Sequence, residues 1–313
     1  MFNRIDFIKM DALSTVLEAT RLKSVVYSKF PLAAPWGLDV VKDDNSQFWR
    51  LVSGRCTVGS PDGRVIELAV GDLVFVPHGS AHWIADSAAS LRMPSPEFVK
   101  ARRAGTPVFN SGGEVTELIA GHFEFDYQPL HPFLKDLPSI IHIRQYVTEN
   151  GLLLKQVAQL MLNELTNERP GSSVMLKCLS EIMFVNIIRA YLEQAAPDTG
   201  FLSAINDTRI SKALKLMQDS PQIDWTLESL ASESGMSRSV FFNRFKKLVH
   251  ETPLSYLTNW RMRQAQKLLT TDHSNVSEIA ASVGYQSEAA FNRIFKSKTG
   301  QTPAVYRRGR VAR

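Results

Sequence analysis

The chain has 313 residues, 44% of them hydrophobic and 21% charged, the balance of a globular protein with room for two or three cores, not of a disordered or fibrous chain. Its longest apolar stretch, SSVMLKCLSEIMFVNIIRAYL, is interrupted by Lys177, Glu181, Asn186 and Arg189, which excludes a bilayer-spanning helix there. The net charge of +5 hides an asymmetry: residues 206–313 carry 17 Lys and Arg against 9 Asp and Glu, and the rest of the chain 19 against 22. Basic excess in one third of a chain fits either a solvated helix face or a polyanionic partner.

The first residues, MFNRIDFIKMDALSTVLEATRL, mix charged and apolar side chains and lack both an uninterrupted apolar run and a small-residue cleavage site, so a cytoplasmic location is expected. Cys56 and Cys178 have no CxxC spacing and are expected as reduced, buried small residues. The stretch QFWRLVSGRCTVGSPDGRVIELAVGDLVFVPHGSAHWIADS alternates short strand-like runs with turn signals at Ser53-Gly54, Pro61-Asp62-Gly63, Gly71-Asp72 and His78-Gly79. That spacing predicts a small β-barrel or jelly roll.

Within this stretch Gly71, Pro77, Gly79 and His82 stand in the order G-x5-P-x-G-x2-H, which resembles the second motif of cupins. A metallo-cupin also needs an H-x-H pair on an earlier strand, and here that strand reads FWRLVSG. His82, even with His78 four residues before it, lacks the three or four ligands of a catalytic metal site, so no metal or other cofactor is expected. Trp49, Phe75, His82 and Trp83 are candidates to line a cavity for a small-molecule effector, with ordinary barrel core as the competing reading of each.

Two amphipathic helices divided by Arg169-Pro170-Gly171 are predicted next. The second is apolar on more than one face, through Leu176, Leu179, Ile182, Met183, Val185, Ile187, Ile188 and Leu192. A homodimer interface and packing against the barrel both account for that surplus. AAPDTG, residues 195–200, reads as a linker.

The last third contains an internal repeat. Leu230, Ala231 and Gly235 match Ile279, Ala280 and Gly284 at an offset of 49, and Phe241, Phe245, Lys246, Thr252, Pro253 and Tyr256 match Phe291, Phe295, Lys296, Thr302, Pro303 and Tyr306 at 50. Each copy reads as a short helix, a glycine suited to a left-handed turn and a second helix with two phenylalanines one turn apart. Two helix-turn-helix units are thus predicted, with Ser237 and Ser287 at the starts of the second helices. Between them PLSYLTNWRMRQAQKLL reads as a rigid spacer helix, capped by Thr252 and started by Pro253, with Leu254, Leu257, Met262, Leu268 and Leu269 as core.

A helix-turn-helix offers the outward face of its second helix to the major groove of double-stranded DNA. With the phenylalanines buried, that face holds Arg238, Ser239, Phe242 and Asn243 in the first unit and Glu288, Ala289, Asn292 and Arg293 in the second. Asn292 and Arg293 are the strongest base readers by chemistry, because Asn and Arg pair bidentately with adenine and guanine edges. Arg244, Lys246, Lys247, Lys296 and Lys298 are placed on phosphates, with plain solvation as the alternative.

The combination LA…G-x-S in the first unit, W-R-M-x-x-A-x-x-L-L in the spacer and IA-x-x-x-G-Y-x-S-x-x-x-F-x-R-x-F-K…P-x-x-Y-R in the second resembles the DNA-binding domain of AraC/XylS-type bacterial transcription regulators, over roughly the last hundred residues. By position, the resemblance implies base contacts from Ser239, Phe242, Asn243, Glu288, Ala289 and Arg293. DALSTVLEATRL, PWGL, ELIAGHFEFD and HPFLKDLPSIIHI resemble the cupin-like sensor domain that precedes some of these regulators. The expected fold is therefore α+β: a cupin-like barrel over 1–145, a helical linker and dimerisation region over 146–200, and an all-α double helix-turn-helix over 201–313. The expected partners are double-stranded DNA, a small-molecule effector, RNA polymerase and a second copy of the chain. A cupin-type metalloenzyme fused to a DNA-targeting module is the alternative.

Overall fold

The computed structural model describes residues 12–20, 22–125, 132–145, 149–167, 169–195, 200–272 and 274–311. The N-terminal half contributes α1 (Ala12–Thr20), β1 (Leu22–Ala33), β2 (Gly37–Val40), β3 (Ser46–Ser53), β4 (Cys56–Gly59), β5 (Val65–Leu68), β6 (Leu73–Val76), β7 (His82–Ala85), β8 (Met93–Pro94), α2 (Ser95–Arg103), β9 (Val115–Phe125), α3 (Pro132–Lys135) and β10 (Ile141–Ile143). After it come α4 (Glu149–Asn167), α5 (Ser172–Ala195), α6 (Phe201–Asn206), α7 (Thr208–Asp219), α8 (Leu227–Glu233), α9 (Arg238–Val249), α10 (Pro253–Thr271), α11 (Val276–Ser282), α12 (Glu288–Thr299) and α13 (Pro303–Val311).

These elements divide into two compact units. One holds all ten strands with α2, α4 and α5; the other holds α6 to α13 together with α1 and α3. The division differs from the expected 1–145, 146–200 and 201–313, because α4 and α5 pack together and α5 lies on β1 and β10. Part of the expected linker, residues 196–199, lies outside the described residues.

In the β unit two five-stranded sheets, ordered β1-β9-β3-β6-β10 and β5-β4-β7-β2-β8, face each other as in a jelly roll. Period-two alternation sorts the side chains. Leu38, Val40, Leu51, Val58, Val74, Val76, Ile84 and Leu118 fill the space between the sheets. Phe48, Phe75 and Phe123 point the other way, and Phe184 of α5 packs its ring tilted or edge-on against the last two, with ring centroids 5.1 Å from Phe123 and 6.0 Å from Phe75. The apolar surplus of α5 is thereby explained in large part: Leu179, Met183, Ile187 and Ile188 are buried, while Ile182 stays 47% exposed. Cys56 is buried and burial pushes its thiol pKa up, whereas Cys178 is exposed, against expectation.

The Gly71 turn is pinned by a buried polar cluster. The Asp72 carboxylate accepts hydrogen bonds from His142 (2.7 Å), the Gln145 amide (3.2 Å) and the Ala69 amide (3.2 Å), and Arg50 donates to Gln145 at 2.7 Å. Burial alone would raise the Asp72 pKa, but the three donors together hold it below the usual carboxylate value. A group with a depressed folded pKa contributes its stability in full above the unfolded value, about 4, and loses it as the pH falls through the folded value. Asp72→Asn should therefore lower stability at pH 7 and flatten the loss as the pH falls below about 4, as read from denaturation curves at each pH.

In the helical unit the repeat is reproduced contact by contact. Gly235 and Gly284 adopt φ of 65° and 88° in the two turns. Phe241 and Phe245 are fully buried with centroids 5.6 Å apart, and Phe291 and Phe295 with centroids 5.5 Å apart. Phe245 meets Tyr256 edge-on at 6.0 Å and Phe295 meets Tyr306 at 5.5 Å. α8 and α11 both begin in reciprocal capping boxes, Thr226 with Ser229 and Asn275 with Glu278. Ser287 caps α12, whereas Ser237 stands at the N-cap of α9 without a side-chain bond.

The spacer α10 starts as expected, Thr252 accepting from the Ser255 amide and Pro253 in the first turn. It buries Tyr256, Leu257, Trp260, Met262 and Leu269, but Leu254 is 46% exposed, one position off the buried stripe. α10 carries the cores of both repeats, since it packs on α7 and α9 on one side and on α11, α12 and α13 on the other. Phe291→Ala should cost about 3–5 kcal/mol, measured by chemical denaturation.

Candidate functional site

Burial of the phenylalanine pair fixes which face each recognition helix presents. On α9 this leaves Arg238, Ser239 and Asn243 exposed and Phe242 half-buried; on α12 it leaves Glu288, Ala289 and Arg293 exposed and Asn292 half-buried. All eight candidate base readers thus lie on the outward faces of the two second helices. Three of them are engaged within their own unit: Arg238 Nε lies 3.0 Å from Glu228 Oε1, and Asn292 donates to Glu288 at 3.5 Å. Arg293 is exposed with no ion pair among the described residues.

The candidate phosphate contacts divide by residue type. Lys246, Lys247, Lys296 and Lys298, at the ends of α9 and α12, are exposed. Arg244 instead pairs through its guanidinium with Asp207, which also caps α7 by accepting from the Arg209 and Ile210 amides. Asp207 titrates below the usual carboxylate range, since those donors outweigh its desolvation. This pair ties α9 to the start of α7 and leaves the Arg244 side chain half exposed. Arg261 likewise donates to the Pro221 and Ile223 carbonyls, Arg307 to the Ser274 carbonyl, and Arg263 is buried.

In the barrel, the four candidate cavity residues separate by strand parity. Trp49 and His82 project between the sheets and meet there, the indole Nε1 donating to His82 Nε2 at 3.0 Å. The other ring nitrogen lies 2.9 Å from the Ser80 carbonyl oxygen, so the imidazole is neutral and protonated at Nδ1; burial lowers its pKa accordingly. Phe75 belongs to the aromatic layer under α5. Trp83 points outward, its indole lying where a Cβ on Gly59 would stand and under the Arg92 guanidinium, 4.9 Å away. Of the four, Trp49 alone is among the residues lining the cavity described below.

The donor set does not fit a cupin metal. β3 sends Gln47, Trp49 and Leu51 inward, both nitrogens of His82 are committed, and His78 Nε2 is bonded to the Leu137 carbonyl at 2.8 Å. No group of three His, Cys, Asp or Glu converges among the described residues, and no helix there is long and apolar enough to cross a membrane. The cavity itself, of about 600 Å³, is lined by Phe30, Leu38, Val40, Gln47, Trp49 and Phe98 among others. Most of these residues were not anticipated, because the α2 segment SPEFVKARR shows only a charged helix face in sequence.

Comparison with known proteins agrees with both halves. Residues 11–193 match a family described as Cupin and residues 230–309 one described as Helix-turn-helix domain. The HTH-type transcriptional regulator AlkR of Acinetobacter baylyi is 29% identical over 95% of this chain and 99% of its own. A putative AraC-like transcription regulator of Streptomyces antibioticus is 28% identical over 96% and 99%. Among solved structures, the DNA-binding domain of AdpA in complex with a target DNA is 32% identical over 34% of this chain and 95% of its own, with a TM-score of 0.32.

The chain belongs to the AraC-type regulators with an N-terminal cupin domain. It is a DNA-binding transcription regulator, and double-stranded DNA is its partner. For such a regulator the two classes of basic residue call for different experiments. Lys246→Ala should weaken binding to specific and random DNA alike and reduce the salt slope by about one. Arg244→Ala should instead lower thermal stability, with a small effect on DNA affinity at a temperature where the variant stays folded.

Proposed function

We propose that the regulator reads one face of a duplex with α9 and α12 in successive major grooves, each helix offering four of the eight exposed or half-exposed residues named above to base edges. Lys246, Lys247, Lys296 and Lys298 meet phosphates beside them. The observation that carries this reading is the duplication itself: the same Phe, Phe and Tyr contacts recur on either side of α10. A helix of 19 residues is about 28 Å long, close to the roughly 34 Å between successive major grooves on one face.

The barrel serves as the effector-sensing module, and the regulator works as a homodimer in the cytoplasm, where it meets DNA and RNA polymerase. Support for dimerisation comes from α4 and α5, where Leu153 and Leu160, and Met175 and Ile182, recur one heptad apart and are each more than a third exposed. The committed nitrogens of His82 and the inward Gln47, Trp49 and Leu51 weigh against the metalloenzyme alternative.

The test is spacing. The binding site of one copy should contain two blocks with centres about 10 base pairs apart. A five-base-pair insertion between them turns one block to the far side of the duplex, and affinity should collapse to the non-specific level. A ten-base-pair insertion should not restore it within one copy, because α10 does not stretch. Unchanged binding after the shorter insertion would mean that one helix alone reads DNA. Arg293→Ala should cost about 1–3 kcal/mol at the specific site and relax preference at a single position, as read by selection from random sequences.

A further inference from the structure

The cavity in the β unit has a half-satisfied amide in its wall. Gln47 is 8% exposed, lines the cavity beside Trp49, and its Oε1 has no hydrogen-bond partner among the described residues. A buried amide oxygen left unpaired is costly, and a barrel that needed only a core would place an apolar side chain there. The remaining wall is apolar and aromatic: Phe30, Leu38, Val40, Trp49 and Phe98, with the rings of Phe30 and Phe98 5.8 Å apart.

The rim adds an excess of positive charge. Lys42, Lys100 and Arg103 line the opening, all exposed and none ion-paired among the described residues. The one rim carboxylate, Asp43, accepts from the backbone and side-chain amides of Asn45, both at 3.3 Å. Cations gathered at the mouth of an apolar cleft attract an organic anion and disfavour a cation.

We propose that this cavity binds a hydroxylated amphipathic carboxylate: its apolar body rests on Phe30, Trp49 and Phe98, its hydroxyl pairs with the Gln47 side-chain amide, and its carboxylate sits among Lys42, Lys100 and Arg103. The proposal rests on the reading of the barrel as the effector module and names the chemistry of its ligand. A plain hydrocarbon would leave the Gln47 amide unpaired in a drier site. A sugar or nucleotide would present more polar groups than this wall satisfies.

The full-length chain is titrated calorimetrically with 3-hydroxy-3-phenylpropanoate, its primary amide, and 3-phenylpropanoate. The hydroxy acid should bind about tenfold more tightly than the amide, with the gap narrowing as salt rises. Lys100→Gln with Arg103→Gln, both at exposed positions, should remove that gap. The hydroxyl should add about fivefold in affinity over 3-phenylpropanoate, a gain absent in Gln47→Leu. Equal binding of acid and amide overturns the carboxylate assignment and leaves the effector reading standing. A hydroxyl that adds nothing overturns the role of Gln47. If none of the acid, the amide or 3-phenylpropanoate binds, the ligand class and the effector reading fall together.

Discussion

Everything the helical unit does depends on two phenylalanines one turn apart being driven out of water in each repeat. A seven-residue helix such as α8 or α11 is too short to persist alone, and a capping box adds only about 1 kcal/mol. Burying both rings of each pair against α10, with Tyr256 or Tyr306 edge-on to the second ring, fixes the rotation of α9 and α12 about their own axes. Once that rotation is fixed, the opposite stripe must face outward, whatever residues it carries. Architecture and specificity are thus written in separate positions, and the outward residues are free to differ between the two repeats while the inward ones match.

The β unit obeys the same separation with a period of two. The sheet containing β3 and β6 is covered on both faces, by the second sheet on one side and by α5 on the other. Side chains of either parity are therefore buried, and burial alone does not say which of them faces the cavity. Phe75 and Val76 are both inaccessible, yet one supports the Phe184 stack and the other the space between the sheets. In β7, His82 and Trp83 divide in the same way, one meeting Trp49 inside and the other lying over Gly59 outside.

That geometry explains what was legible beforehand. The double helix-turn-helix was readable because its pattern is local: glycine, paired aromatics and the Thr-Pro helix start all act within a few residues, and each appears twice. The barrel was readable as a barrel from its turns. Strand parity was not, because LVFV in β6 is apolar throughout and carries no alternation to read. α2 and the Gln47 pocket were missed because they join residues 30, 47 and 98 across three elements. The dual packing of α5 looked like surplus for the same reason: the aromatic cluster that absorbs Phe184 is assembled from β3, β6 and β9.

The basic excess of the last third also changes meaning once contacts are known. As a sum it points to DNA, but the arginines are largely spent within the unit. Arg238 pairs with Glu228, Arg244 with Asp207, Arg261 and Arg307 hold backbone carbonyls, and Arg263 is buried with its pKa lowered by desolvation. A planar guanidinium with five donors suits that task, since it satisfies several fixed acceptors at once. The lysines on α9 and α12 remain in water, with flexible stems that suit phosphate contact without demanding one geometry. Arg293, at a recognition-helix position, has no ion pair among the described residues, which is the physical reason to propose it for a base edge.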